Sequence, residues 1–231
     1  MISSLKKWIY SDKNTFASGF SFSKMYIIFV LGSFLGVIYE EIIGFVKHYH
    51  IYHEFLWETR QGVIYGPFNP LYGAGIVFII LLLGKNKRHP LKTFTYGALL
   101  GGAIEYIISF LMELVLGAKS WDYTNRPLNI NGRTTILYMI FWGLAVLILV
   151  HIIYPYISKC IEKIPKKIGD ILVKFLVIFM TFNMTISWTA LARQTLRHKG
   201  YPPFTFLGEF YDKVYTDEYL KTKYANMQFT K

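Results

Sequence analysis

Cysteine is almost absent from this sequence, with Cys160 the only one among 231 residues. A single thiol excludes an intrachain disulfide and a zinc site built from several cysteines. Charged residues are also scarce, at 17% of the chain, whereas a soluble domain carries about a quarter. These shortages exclude an ordinary soluble enzyme, a disulfide scaffold and a disordered chain.

Acidic residues are the scarcer charge, with 14 Asp and Glu against 25 Lys and Arg, a net charge of +11. A basic balance is also typical of nucleic-acid binding, but here the basic residues lie in short clusters between long apolar runs. Lysines in such places orient a membrane protein and contact anionic head groups. We therefore expect the lipid bilayer as a partner and no nucleic acid.

Apolar residues make up 53% of the chain and collect in long uncharged runs such as 62–84 and 134–158. A run of about 20 apolar residues crosses a bilayer as a helix. The sequence therefore predicts an all-α, polytopic helical membrane protein with about five transmembrane helices. The predicted spans are Met25–Val46, a segment that starts between Gly62 and Leu71 and ends at Gly84, Leu91–Leu116, Thr134–Tyr154 and Ile171–Ala192.

The basic residues also predict the orientation, because cytoplasmic loops of membrane proteins are enriched in Lys and Arg. Thirteen Lys and Arg residues lie in three segments: residues 1–24, the loop after the second span and the stretch between the last two spans. The other two loops hold five. The N-terminus should then be cytoplasmic, in a multi-pass protein of the cell membrane. Five spans place the tail 193–231 outside although it holds seven Lys or Arg. An additional dipping segment, or a fifth helix that does not cross, is the alternative.

An internal duplication appears when Gly32–Val46 is compared with Gly97–Leu111, because seven of fifteen residues agree at an offset of 65. Each copy has glycines four residues apart, followed one turn later by Glu40 or Glu105. We predict two parallel repeated hairpins, about residues 25–84 and 91–154, within a transmembrane domain 25–192. The extra helix 171–192 follows, and 193–231 forms an amphipathic tail.

The two glutamates are the strongest candidates for function. A charge in the middle of a membrane costs about 2.5–3.5 kcal/mol or more, and such residues usually face the bundle interior. Glu40 and Glu105 continue the glycine stripe of their helices, so we expect both to point into the protein. The alternative is that the stripes are packing seams and that the glutamates only lock helices together.

The uncharged run 62–84 contains a Gly/Pro-rich interruption, Gly66-Pro67-Phe68-Asn69-Pro70. We predict that residues 66–70 are not continuous helix and lie inside the embedded protein, although a tight turn at the bilayer surface is the alternative. Broken backbone at that depth is tolerated only inside protein or beside water, and it is a pointer to a transporter's binding site. A second Pro-apolar-Asn motif, ending at Asn129, suggests that the repeat continues into the outer loops.

The third outer feature is Trp121-Asp122-Tyr123, at the predicted outer end of the third span. Asp122 could pair with Arg126 or Arg133 at a site entrance, or it could be solvated within an interfacial aromatic belt. Three histidines after the first span look more like part of such a belt than like metal ligands. We therefore predict no metal site.

Together, these residues resemble a known family. The resemblance is carried by the Glu40 helix, by Arg60 followed by Gly66-Pro67, Pro70 and Tyr72-Gly73, and by Trp121-Asp122-Tyr123 before Pro127 and Asn129. The chain resembles the bacterial family named "putative ABC-transporter permease, type IV" over about residues 25–155. It departs from the family pattern at two positions. In that pattern a glycine directly follows the arginine, whereas Gln61 stands here, and a serine is usual where Thr124 stands. The resemblance implies an integral membrane protein with a separate ATPase partner.

Our interpretation is a permease subunit with its substrate path between the first and third spans. Glu40 and Glu105 would bind a cationic group or exchange protons. The full set of candidate binding residues is Glu40, Arg60, Asn69, Tyr72, Glu105, Asp122, Asn129 and Arg133. No phosphate-binding loop is present, so an ATPase would be another chain, docking on segments 85–92 and 159–167. No cofactor is expected, and a homo-oligomer is considered because one duplicated unit is small.

Two other classes stay open at this point. A membrane enzyme could use Asp122, Arg126 and Arg133 to hold the anionic head group of a lipid, although no catalytic constellation is visible. A non-catalytic scaffold would use the glutamates only for packing.

The orientation is tested by thiol labelling of intact cells after Cys160 has been replaced. Cysteines introduced at Lys87 and Lys163 should be shielded from an impermeant reagent, whereas one at Ser120 should react. Labelling at Lys87 but not at Ser120 would invert the topology.

Overall fold

The computed structural model describes residues 15–84, 89–119, 121–225 and 228–229. Within them the chain is almost entirely helical, which confirms the predicted fold class. The helices are α1 Phe22–Tyr52, α2 Pro70–Leu83, α3 Pro90–Leu116, α4 Ile136–Glu162, α5 Lys166–His198, α6 Phe206–Val214 and α7 Asp217–Lys223. Helix α4 contains a π-helical turn at Leu149–Ile153.

Four of these helices (α1, α3, α4 and α5) are long and apolar enough to cross a membrane. The predicted second span is different, because its helical part α2 has only 14 residues. That is about 21 Å of helix, short of the roughly 30 Å of hydrocarbon. Residues 61–69 before it are not helical, which confirms the predicted interruption.

Two antiparallel hairpins form most of the bundle. In the first, Gly36 and Gly32 of α1 lie against Tyr72 and Ile76 of α2. In the second, the matching glycines Gly101 and Gly97 of α3 lie against Trp142 and Val146 of α4. Small residues let the two backbones of each hairpin approach closely.

The contact residues Tyr72 and Trp142, on the second helices of the two hairpins, are 70 positions apart in sequence. The glycines that they contact on the first helices, Gly36 and Gly101, are 65 positions apart. This register differs from the predicted match of the two Pro-apolar-Asn motifs. Asn69 caps the start of α2 by accepting from Leu71 N. Asn129 instead lies in a short strand, and Thr135 caps α4. The predicted equivalence of Asn69 and Asn129 is therefore wrong, because the second loop is longer.

Short strands join distant loops at one end of the bundle, which we call the loop end because it carries residues 53–60, 117–135 and the tail. Strand β1 (Ala118–Lys119) pairs with β4 (Gln228–Phe229), and β2 (Asn129–Ile130) pairs with β3 (Thr134–Thr135), both antiparallel. The β1–β4 pair ties the C-terminal tail to the end of α3. The tail therefore lies at the same end as both predicted outer loops.

The opposite end of the bundle is joined by a buried lysine. Lys24 at the start of α1 is 1% exposed and forms an ion pair with Glu162 at the end of α4. Its ammonium also donates to Ser158 Oγ at 2.7 Å. The sequence counted Lys24 among the topology-setting lysines, but in the structure it links the two hairpins. Six others in that count, together with Ser120, lie outside the described residues: Lys6, Lys7, Lys13, Lys85, Lys87 and Arg88.

The interrupted segment dips into the bundle from the loop end. Asn69 N donates to Ser33 O at 2.9 Å. Ser33 lies eleven residues after the start of α1, which is about 16 Å along a helix about 46 Å long. Val63 and Ile64 are almost fully buried. Tyr65 and Gly66 are exposed, so the segment packs against protein on one side without being fully enclosed.

Two polar side chains of α5 hold the backbone of this segment. Ser187 Oγ accepts from Ile64 N at 2.8 Å, and Asn183 Oδ1 accepts from Tyr65 N at 3.1 Å. Asn183 Nδ2 also donates to Tyr65 O at 2.6 Å. Asn183 and Ser187 are fully buried. Since they are four residues apart, they lie on one face of the helix and act together.

The tail folds back over the same segment. Tyr215, Leu220 and Tyr224 form a buried cluster with Ile64 and Leu191, and the Tyr65 and Tyr215 hydroxyls lie 2.8 Å apart.

An ion-pair network fixes the tail to the end of α5. Arg193 binds both carboxylate oxygens of Asp212, at 2.8 and 2.7 Å. Arg197 binds Asp212 and Asp217, each at 2.7 Å. The hydrogen bonds from Arg193, supported by those from Arg197, hold the pKa of Asp212 below its usual range.

Replacing Asn183 with alanine should loosen the interrupted segment. The Tyr65 amide and carbonyl would lose their partners, at a cost of about 1–3 kcal/mol for each buried group. Hydrogen exchange of residues 63–66 in detergent should accelerate and thermal stability should fall. Thr185→Ala on the exposed side of the same helix is the matched control. Equal exchange in the two variants would contradict the proposed hold on the segment.

Acid should detach the tail. A carboxyl with a lowered pKa in the folded state adds stability above its ordinary pKa of about 3.9, and that stability is lost as the pH falls through the lowered value. We expect hydrogen exchange of residues 206–223 to accelerate below about pH 4 and to be constant from there to neutrality. Asp212→Asn should weaken docking already at neutral pH and reduce the acid-induced change. An unchanged pH profile in that variant would assign the transition to other groups.

Candidate functional site

Glu40 lies on α1, one turn beyond Gly36, and its carboxylate accepts a hydrogen bond from the Tyr72 hydroxyl. Gly36 makes this hydrogen bond possible, because a side chain at position 36 would collide with the Tyr72 ring. Arg60 lies over Gly44, a further turn along α1, and is close enough to attract the Glu40 carboxylate electrostatically. Sequence analysis selected all three of Glu40, Arg60 and Tyr72, and the structure brings them together.

Glu105 occupies the corresponding place in the second hairpin. Its two oxygens accept from Thr134 Oγ1 at 2.6 Å and from the Tyr123 hydroxyl at 3.1 Å. Thr134 is 2% exposed. Both donors are neutral, and within the described ranges no Lys, Arg or His forms an ion pair with Glu105. The two glutamates therefore differ, because only Glu40 has a guanidinium nearby.

Tyr123 connects the two carboxylates. It lies within electrostatic range of both Glu105 and Glu40, and its ring stacks on Tyr138 at 4.7 Å between centroids. Burial raises the pKa of the Tyr123 phenol, and the charges of Glu105 and Glu40 raise it further. It therefore remains a protonated hydrogen-bond donor at neutral pH. We name the group the tyrosine–glutamate cluster: Tyr39, Glu40, Tyr72, Glu105, Tyr123 and Tyr138.

The cluster lies where the two hairpins meet. The ring of Tyr39 on α1 stacks on Phe141 of α4, with 6.5 Å between centroids, and Tyr72 lies within electrostatic range of Tyr39 and Tyr123. Glu40 and Glu105 are half-buried rather than sealed. The arrangement offers two carboxylates and several phenolic hydroxyls to a ligand or a proton between the hairpins.

The two predicted asparagines serve the local fold. The Asn69 side chain caps α2, as described above. Asn129 Nδ2 donates to Thr124 O and Arg126 O at 3.1 and 2.8 Å, and its Oδ1 accepts from Gly132 N at 2.9 Å. Asn129 therefore holds the loop that carries Tyr123.

Arg133 does not pair with Asp122 as the sequence suggested. Its guanidinium binds Glu113 at 2.6 Å and Ser109 Oγ at 3.3 Å, and it lies over the Phe110 ring. Asp122 accepts from Thr124 N at 2.8 Å and from the Thr124 hydroxyl, and these bonds keep the pKa of Asp122 low. Among the described residues, Asp122 forms an ion pair with Lys119 at 3.9 Å and with neither Arg126 nor Arg133. The suggested pairing is wrong because Glu113, one turn before the end of α3, reaches Arg133.

Sequence reasoning overlooked Glu41, which is buried at 7% exposure. Its carboxylate accepts from Trp57 Nε1 at 3.2 Å and from Arg60 N at 3.3 Å. Glu41 thereby holds the backbone that places Arg60 beside Glu40. It has no counterpart in the second repeat, where Tyr106 stands, so the comparison of repeats gave no signal.

Tyr123 and Thr134 were also missed as partners of Glu105. Tyr123 was taken for part of an aromatic belt, and Thr134 for the first residue of a span. Both lie far from Glu105 in sequence. Only the chemical expectation that a buried carboxylate needs donors could have pointed to them.

A cavity of about 240 Å³ opens beside the first hairpin at the loop end. It is lined by Gly44, Phe45, Lys47, His48, Ile51, Tyr52, Leu56, Glu58 and Arg60. The cavity therefore borders both Arg60 and Glu58, which form an ion pair at 3.1 Å. In the part of the chain that the structure describes, no three His, Cys, Asp or Glu side chains converge as metal ligands.

The long apolar helices, with half-buried carboxylates between them, define a polytopic helical membrane protein. Residues 27–188 match the model of the family described as "Putative ABC-transporter type IV", and the chain belongs to this family. The match includes both hairpins, the tyrosine–glutamate cluster and α5 as far as Trp188. No curated protein and no solved structure matches the chain.

Proposed function

We propose that the protein is the membrane-embedded permease subunit of an ATP-driven transporter. One observation carries this proposal: Glu40 of the first hairpin and Glu105 of the second both lie half-buried in the tyrosine–glutamate cluster where the hairpins meet. Ionisable residues inside a membrane usually mark a pathway for substrate, ions or protons. The family name is consistent with this role.

The substrate path would run between the two hairpins, which we take to be a parallel duplication. A half-buried carboxylate is costly in its charged form, so either glutamate is favoured as a site for a proton or a cation. Arg60 attracts Glu40 electrostatically although its guanidinium is paired with Glu58 at 3.1 Å, whereas the described partners of Glu105 are neutral. Glu105 is therefore the better candidate for binding a cationic group or for exchanging a proton.

An ATPase partner would dock at the end opposite the loop end, which we place in the cytoplasm. The lysines of residues 159–167 are mostly exposed there, and the sequence has no phosphate-binding loop of its own. A second copy of the chain is a further candidate partner, because the path in one copy has only two hairpins to line it.

The lipid-enzyme alternative is weaker. It requires Arg133 to hold an anionic head group, but Arg133 is already bound to Glu113 and Ser109. Asp122 is exposed and bound to its neighbour Thr124. The arrangement shows no activated nucleophile.

The experiment compares cells of the native strain with and without the gene by untargeted mass spectrometry of cells and medium. Compounds that change on deletion, and that the wild-type gene restores, define the readout. Glu40→Gln and Glu105→Gln should each reduce this restoration about tenfold or more, because a lost charged partner costs about 1.5–3 kcal/mol. Purified complex from the same cells should hydrolyse ATP.

Glu54→Gln is the matched control, since Glu54 is 78% exposed near the same end of α1. It should restore the compounds fully. If the double variant Glu40→Gln/Glu105→Gln restores as well as the control while inserting normally, the glutamates serve packing alone. A compound that purified protein converts without ATP would favour an enzyme instead.

A further inference from the structure

Helix α6, outside the family match, has three distinct faces. Its packed face contacts α5: Thr189 Oγ1 donates to the Tyr211 hydroxyl at 2.6 Å, and Asp212 binds Arg193. Its charged face carries the exposed Glu209 and Lys213. The third face is apolar.

The apolar face consists of Phe206, Leu207, Phe210 and Val214, which are between 44% and 80% exposed. At 100° per residue, these four positions lie within an arc of about 100°. No described part of the chain covers them. A stripe of four large apolar side chains between a packed face and a charged face is the pattern of a helix lying in a membrane interface.

The position of α6 along α5 gives the depth. Helix α5 has 33 residues, about 50 Å, so it is longer than the hydrocarbon core. Lys166 and Lys167 mark one boundary, and about 20 residues are needed to cross, which places the second boundary near Trp188. Trp188 is 54% exposed, as expected of an interfacial tryptophan. Thr189, just beyond this boundary, donates the hydrogen bond to Tyr211 of α6.

The linker to α6 supports the same placement. Arg193 donates to the carbonyls of Tyr201 and Pro202, at 3.1 and 3.4 Å, which fixes the start of α6 beside α5. Tyr201 and Phe204, which lie between Trp188 and Phe206 in sequence, also expose their rings, at 52% and 74%. Exposed aromatic rings of this kind are enriched where a membrane meets water.

We propose that α6 lies in the bilayer interface at the loop end, with Phe206, Leu207, Phe210 and Val214 inserted among the lipids and Lys213 at the water side. The occupant of the apolar face is therefore lipid. This inference does not depend on the transport proposal.

The test places a fluorescent probe on single cysteines in a Cys160→Ser background, in vesicles of phosphatidylethanolamine and phosphatidylglycerol. Leu207→Cys carries the probe on the apolar face, and Lys213→Cys carries it on the charged face of the same helix. Brominated lipids should quench the Leu207 probe several-fold more than the Lys213 probe. Aqueous iodide should show the reverse order.

Equal iodide quenching at both positions would overturn the proposal, because the apolar face would then lie in water. A Leu207 probe that neither quencher reaches would also overturn it, because protein would cover the face. Phe206→Cys provides the same measurement if Leu207→Cys is not recovered. Since both side chains are exposed, neither substitution removes a core contact.

Discussion

The structure depends on satisfying the polar backbone of the interrupted segment inside the protein. A buried amide or carbonyl without a partner costs about 1–3 kcal/mol, and nothing apolar can replace the missing helical hydrogen bonds. Asn183 and Ser187 of α5 supply partners to Ile64 and Tyr65, and Ser33 of α1 supplies one to Asn69. This requirement binds α5 to the first hairpin and fixes where α2 begins. Because α2 begins deep in the bundle, its first turn places Tyr72 opposite Glu40.

The same constraint explains the use of tyrosine around the glutamates. A half-buried carboxylate needs hydrogen-bond donors that add no second charge to bury. Tyr72 and Tyr123 provide a hydroxyl at the tip of a large apolar ring, so they reach across the gap between helices and fill it as well. Glycines at Gly36 and Gly101 make room for the facing aromatic rings. The same helix face therefore provides both close helix packing and hydrogen-bond donors for the carboxylates.

The tail extends this arrangement beyond the family match. Tyr215 and Leu220 close over Ile64 from the loop end, and Arg193 and Arg197 hold the tail by charge. The basic residues at Arg193 and Arg197 conflicted with the positive-inside expectation. Their pairing with Asp212 and Asp217 provides a local reason for them at this end of the bundle.

The sequence by itself determined the helical membrane class and the approximate helix bounds, and it selected Glu40 and Glu105 by their common spacing from two glycines. These features depend on local hydropathy and on a repeat of seven identities in fifteen residues. It also located the interruption, because Gly66, Pro67 and Pro70 restrict the backbone directly.

Only the tertiary structure decided the partners of these residues. Asn183 and Tyr65 are 118 positions apart, and Lys24 and Glu162 are 138 apart, so no local pattern connects them. The pairing of Arg133 with Glu113 rather than with Asp122 likewise depends on how the loop after α3 folds back. Hydropathy records that a residue must be buried, whereas the identity of its neighbour follows from the packing of helices that are distant in sequence.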